Sequence, residues 1–275
     1  MGVIMKIGLI AGSGQFPIFF SKKANSKGLS VYAAAHINET DSELQKHVDA
    51  IEWIHIGQIE KVIRFFKTNN IKKTIMIGAI NKTRMFTDAR LDMKAVSLLS
   101  GLKNTNDDRL LRSFAKLLED NGITMLPSTF ILPDILAIKG CWTKRKPTAS
   151  DKLDINIGWE IAKKIGAHDI GQCVVVGGGS VLAVEAIDGT DSTILRGGKL
   201  GKENAVVVKV CKPNQDTRFD IPAVGVQTVR IMKDAKAKVL AIEAGKAVVF
   251  DRCEMICLAD KFGISIVAID HEYNI

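Results

Sequence analysis

A two-domain α/β fold is predicted by three features of this chain. Short apolar runs alternate with helix-period stretches from Lys6 to Ile138, a polar and basic break follows, and the alternation then resumes as far as Ile269. The expected layout is a Rossmann-like N-terminal domain with a parallel sheet over residues 1–138, a linker over 139–153 and a second α/β domain over 154–275. An apolar content of 47% in 275 residues is enough to give each half its own core.

Residues 6–11 read as the first strand, and Gly12-Ser13-Gly14 as the turn into a helix that begins near Phe16. Strands follow at residues 29–35, 51–56, 73–77 and 123–126. Between them, Ile59, Val62, Ile63 and Phe66 recur at helical spacing, as do Leu110, Leu111, Phe114, Leu117 and Leu118. Such a βαβ series builds a mainly parallel sheet that binds ligands at the carboxyl ends of its strands. Gly140, Pro147 and Ser150 around Lys144-Arg145-Lys146 give the break the composition of an exposed connection. Beyond it the pattern predicts a helix over 155–165, strands at 172–176, 181–187, 205–210, 239–242, 247–250 and 264–269, and helices near 191–195, 226–237 and 252–262.

The 38 basic against 30 acidic residues give a net charge of +8, which favours anionic partners. Lys and Arg are scattered and aromatics make up only 6%, so a phosphorylated small molecule is expected and nucleic acid is not. Cys141, Cys173, Cys211, Cys253 and Cys257 form an odd set without a CxxC pair, which speaks against a disulfide framework or a structural zinc site and fits a reducing cytoplasm. Cys253 and Cys257, one helical turn apart, are expected to be buried. The five histidines share no metal-ligand spacing and are expected to be satisfied structural residues. The start reads as a strand and turn without a signal peptide's features, and the apolar stretches are too interrupted to span a bilayer.

The densest run of site-like residues lies between Gly177 and Gly225, where a glycine tract and many charged side chains suggest a polyphosphate site. Gly12-Ser13-Gly14 could receive a phosphate at a helix N-terminus, although Pro17 stands where the dinucleotide fingerprint needs a third glycine and no acid ends the second strand. Lys82, between Asn81 and Arg84, closes the fourth strand on the ligand-binding edge, and Asp108 opens a helix, where it could equally be a cap. Asp188 and Asp191, taken with Glu185, could ligate Mg²⁺, or could serve only a turn and a helix start. Lys209 and Cys211 share a strand face, and the loop beyond carries Lys212, Gln215, Asp216, Arg218 and Asp220. If that loop is extended, Asp216, Arg218 and Asp220 point the same way.

Several strings together carry a resemblance: Ile10-Ala11-Gly12-Ser13-Gly14, Asp107-Asp108-Arg109-Leu110-Leu111-Arg112, Asp169-Ile170-Gly171-Gln172, the run from Leu182 to Asp191, and the run from Lys212 to Gly225. The chain resembles the UDP-2,3-diacylglucosamine pyrophosphatases of lipid A synthesis built from two α/β domains, and not the metallophosphoesterases that perform the same step. The resemblance implies hydrolysis of UDP-2,3-diacylglucosamine to UMP and 2,3-diacylglucosamine 1-phosphate, with Mg²⁺ assistance and the ligand in the interdomain cleft. It makes Asp220, in the run Arg-Phe-Asp, the expected base or metal-organising carboxylate, with Asp216 second and Asp188 and Asp191 as further metal ligands. Expected substrate contacts are Gly12, Ser13, Gly14, Lys82, Asp108, Thr190, Asp191, Lys209, Lys212, Gln215 and Arg218. Transient contact with the inner membrane is expected, and homo-oligomerisation is allowed. The alternatives are a non-catalytic nucleotide-sugar or lipid-binding protein and a nicotinamide-dependent oxidoreductase.

Overall fold

The structure, a computed structural model, describes residues 5–80, 89–101, 107–213, 216, 218–219 and 221–270. It divides into two compact units: Met1–Pro133 with Asp216–Asp220, and Asp134–Gln215 with Ile221–Ile275.

In the first unit, β1 (Lys6–Ala11), β2 (Ser30–His36), β3 (Ala50–Ile54), β4 (Lys73–Ile77) and β5 (Thr124–Met125) pair in parallel in the order β3-β2-β1-β4-β5. The order reverses direction between β1 and β4, which makes the carboxyl ends of those two strands the switch point of a doubly wound sheet. The helices are α1 (Phe16–Ser26), α2 (Ile59–Thr68), α3 (Met93–Ser100) and α4 (Asp107–Asp120). The apolar stripes meet the core as their spacing requires. Val62, Ile63 and Phe66 of α2 are buried with Ala115 and Leu118 of α4, and Phe114 and Leu117 pack against the same cluster. Sequence periodicity does not reveal α3, which is a short helix started by a cap: Asp92 accepts from Ala95 N at 2.9 Å and, with its other oxygen, from Glu60 N at 2.6 Å.

The second unit holds a mixed sheet of β6 (Gly140–Cys141), β7 (Cys173–Gly177), β8 (Ser180–Val184), β9 (Val206–Lys209), β11 (Val239–Glu243) and β13 (Ser265–Ile269), while β10 (Ala223–Val224) and β12 (Val248–Val249) pair separately. Strands β9, β11 and β13 are parallel, and β6, β7 and β8 run antiparallel to their neighbours. Helix α5 (Ala149–Ala167) covers one face, and α6 (Gly189–Gly201), α7 (Val226–Asp234) and α8 (Arg252–Phe262) cover the other. Strand residues divide between the faces with period two. Val174, Val176, Val206, Val208, Val239 and Ala241 pack with α5, and Cys173, Val175, Val207, Leu240 and Ile242 pack with the other three helices. Gly158 lets α5 sit this close, since a Cβ there would come within 2.5 Å of Val208 Cγ2.

Three expectations change. Helix α5 starts six residues before the expected Ile155, because Thr148 and Asp151 form a capping box: Thr148 Oγ1 accepts from Asp151 N at 3.1 Å and Asp151 Oδ2 accepts from Thr148 N at 2.9 Å. The basic break is correspondingly ordered, with Arg145 donating to Lys238 O and to Asp151 at 2.8 and 3.0 Å. The glycine tract of the expected polyphosphate run is a hairpin turn held from within the fold. Gly178 and Gly179, at φ of 58° and 78°, form the two-residue loop between β7 and β8. Their amides are already taken by the buried carboxylate of Asp154, at 3.0 and 2.7 Å. Lastly, Cys253 and Cys257 are exposed, because the buried face of α8 is that of Met255 and Ala259.

Asp154→Ala removes the acceptor from two turn amides at a residue only 4% exposed. We expect a loss of about 3 kcal/mol in urea-denaturation stability, and a clearly smaller loss for Asp154→Asn, which keeps one acceptor oxygen.

Candidate functional site

In the first unit the polar groups at the switch point lie where β1 and β4 end. Gly12 N donates to Ile77 O at 2.8 Å and Ser13 N to Ala79 O at 2.7 Å, and Ala79 N returns to Ser13 O at 3.2 Å. The Ser13 hydroxyl also goes to Ala79 O, at 2.8 Å. The chain after β1 and the chain after β4 therefore touch main chain to main chain. A Cβ on Gly12 would stand 2.5 Å from Ala79 O, and one on Gly78 would stand 2.7 Å from Gly12 C. Glycine is required at both positions by this approach. The amides of Gly12 and Ser13 are spent on it, and an anion here would find only what lies beyond, from Gly14 (φ 91°) into α1.

His36 ends β2, where a dinucleotide site would place an acid. It is 8% exposed, and among the described residues its Nδ1 has no hydrogen-bond partner, so the expectation of a satisfied structural histidine is not met there at this atom. Burial lowers its pKa to about 4, which keeps the ring neutral near pH 7.

Asp216 and Arg218 also belong to the first unit. The segment is a turn and not an extended run, closed by Phe219 N donating to Asp216 O at 3.0 Å and Arg218 N to Asp216 Oδ1 at 3.1 Å. The reason is the side-chain pairing. The Arg218 guanidinium grips Asp216 at 2.7 Å and reaches Glu119 of α4 at 3.0 Å, while Arg112 of the same helix stands 3.3 Å from Asp216. Arg218 holds the Asp216 carboxyl below the usual aspartate range, and the charge of Arg112 adds to the effect. A carboxylate held this way is a poor proton acceptor and a good anchor for two arginines. Phe219 packs against the core of the first unit. Lys82, Gln215 and Asp220, and the side chain of Asp108, lie outside the described residues.

In the second unit, Glu185 is 8% exposed and accepts from Thr190 Oγ1 at 2.7 Å and from Gln172 N at 3.0 Å. Asp188 accepts from Ala186 N at 3.3 Å and pairs with Arg196 at 3.0 Å. Glu185, Asp188 and Asp191 thus do not gather into an oxygen cage. Among the described residues no group of three or more His, Cys, Asp or Glu side chains could hold a metal ion, and Asp220, the first of the expected ligands, lies outside those residues. Burial and the nearby Glu185 charge push the Cys173 thiol up, which removes it as a nucleophile.

The carboxyl ends of β9 and β11 hold the densest buried charge. Lys209 is 8% exposed, and among the described residues its ammonium has one hydrogen-bond acceptor, Ala223 O at 3.0 Å. Lys212 pairs with Asp169. Glu243, 3% exposed, receives Lys163 Nζ at 2.6 Å, Cys211 N at 2.9 Å and Lys246 Nζ at 3.0 Å. Sequence reasoning passed over Lys163, Glu243 and Lys246; an acid closing an otherwise apolar strand was the signal for Glu243.

The pH response follows from His36. Its folded pKa is depressed, so the unfolded chain binds the extra proton first, and stability present above pH 6.5 is lost as pH falls toward 4. Chemical denaturation should show a decline of up to about 3 kcal/mol across that window, and His36→Leu should flatten this part of the profile.

The description of residues 6–135 as the LpxI N-terminal domain and of 138–267 as the LpxI C-terminal domain matches the chain over nearly its whole length. A curated relative, UDP-2,3-diacylglucosamine pyrophosphatase LpxI of Caulobacter vibrioides, is 28% identical over 276 residues, spanning 96% of this chain and 98% of that protein. Among solved structures, the biotin carboxylase subunit of a pyruvate carboxylase aligns over 74% of this chain and 42% of its own, at 13% identity and a TM-score of 0.28. Phosphoribosylglycinamide synthetase from Anaerococcus prevotii gives 74% and 44%, at 12% identity and a TM-score of 0.28. Superpositions that loose carry no inference about activity. With its two halves matched in order and a full-length relative beside them, the chain belongs to the LpxI family.

Proposed function

We propose that this chain is a hydrolase that cleaves the pyrophosphate of UDP-2,3-diacylglucosamine, giving UMP and 2,3-diacylglucosamine 1-phosphate for lipid A synthesis. The substrate is supported by end-to-end likeness to the Caulobacter protein of that name. The chemistry is supported by one observation above the others: Lys209 presents a buried cation whose described acceptor is a lone carbonyl. Such a cation is stabilised by an incoming anion far more than a solvated surface lysine would be.

A pyrophosphate repels an incoming water until its own charge is offset. In this reading Lys209 meets a phosphate oxygen, and it does so from a strand end, so its position is set before the substrate arrives. Lys212 contributes less, since Asp169 already holds its ammonium. Asp220 orients the water and takes its proton, a role carried over from the family's run Arg-Phe-Asp. Asp216, with its proton affinity depressed, anchors Arg218 and Arg112 and is not the base. No step here is routed through a metal; the Mg²⁺ that the resemblance implies would draw on Asp188, Asp191 and Asp220, the last of which lies outside the described residues. The two acyl chains of the substrate call for brief contact with a membrane surface, to which a net charge of +8 is suited. No helix among the described residues is long and apolar enough to cross a bilayer.

The test is UMP release from UDP-2,3-diacylglucosamine by the purified chain. Asp220→Ala should retain substrate binding and lose nearly all turnover. Lys209→Met should lower kcat/KM by about a hundredfold, as removal of a preorganised donor does elsewhere. Wild-type protein that returns intact substrate under varied metals would remove the proposal.

A further inference from the structure

Glu243 and Lys163 form a closed ring with the backbone of a single residue, Cys211, just beyond β9. Glu243 Oε2 accepts from Cys211 N at 2.9 Å, Lys163 Nζ donates to Cys211 O at 2.8 Å, and the two side chains meet at 2.6 Å. The residue so gripped is the second after Lys209, the last residue of β9. The ring draws on α5 for Lys163 and on β11 for Glu243, so helix and sheet fix the same point. Lys246 closes the second carboxylate oxygen at 3.0 Å, and Lys163 also lies over the Trp159 ring at 5.3 Å. A buried carboxylate with every contact matched is costly to assemble and has few alternative arrangements, so it holds one geometry.

We propose that the Glu243–Lys163 pair positions the exit of β9 for the reaction, a role that rests on the hydrolytic reading given above. The pair touches no substrate. It acts by fixing Cys211, and through it the strand end at which Lys209 stands.

The experiment compares full-length wild type with Glu243→Gln, Lys163→Met and Lys163→Arg, reading UMP release for kcat and KM and deuterium exchange at the Cys211 amide. Glu243→Gln and Lys163→Met should lower kcat about tenfold or more with KM within about threefold, the split expected when bound substrate faces a displaced reacting group. Exchange at Cys211 should rise about tenfold in both while amides in β1 and β4 keep wild-type rates. Lys163→Arg, which keeps the charge and the donors, should restore kcat and protection together. If Lys163→Met does not fold, the doubly neutral Glu243→Gln/Lys163→Gln takes its place with the same expectation. Folded Glu243→Gln with wild-type kcat, or with unchanged exchange at Cys211, overturns the proposal. If wild type itself releases no UMP, the hydrolytic reading fails separately, and wild-type exchange at Cys211 in Glu243→Gln would then refute the clamp on its own.

Discussion

Burial on both faces governs where chemistry can sit in this molecule. The central strands of the second sheet pack valines against α5 on one side and against three helices on the other, which leaves no room along their length for a charged side chain. Polar groups are therefore pushed to the ends of the strands. Lys209 closes β9 and Glu243 closes β11. In the first unit the same pressure places His36 at the end of β2 and the Ser13 contacts at the ends of β1 and β4.

Much of the fold was legible for the same reason. Strands such as Lys6–Ala11 and Lys73–Ile77 and the helix Arg252–Phe262 have the extents that apolar periodicity gives them. What escaped notice depends on local hydrogen bonding. Helix α3 and the early start of α5 are set by Asp92 and by the pair Thr148 and Asp151, signals carried by single residues and not by a repeating pattern. The exposure of Cys253 and Cys257 turned on which face of α8 meets the sheet, and the length of an apolar run does not say that.

The candidate site was less legible because a carboxylate can serve either the fold or a ligand. Asp154 occupies two turn amides of the glycine tract, Glu185 takes a threonine hydroxyl and a backbone amide, and Asp92 accepts from the first turns of two helices. Each behaves as an internal anion. Sequence spacing is blind to this difference, since an acid beside a glycine turn has the same spelling whether it meets a metal or an N–H. Lys209 was read as a candidate from its place on a strand that runs into a polar loop, whereas its burial is seen only in the structure.

The first unit is built from two separate stretches of chain, since Asp216–Asp220 joins Met1–Pro133. The sequence boundary between the N-terminal and C-terminal family regions is thus not the spatial boundary. A gene cut once near residue 135 would put Arg218 in one product and its partner Glu119 in the other. Evolution by shuffling whole halves would break the same pairing, so the two regions are tied where Asp216 and Arg218 meet α4.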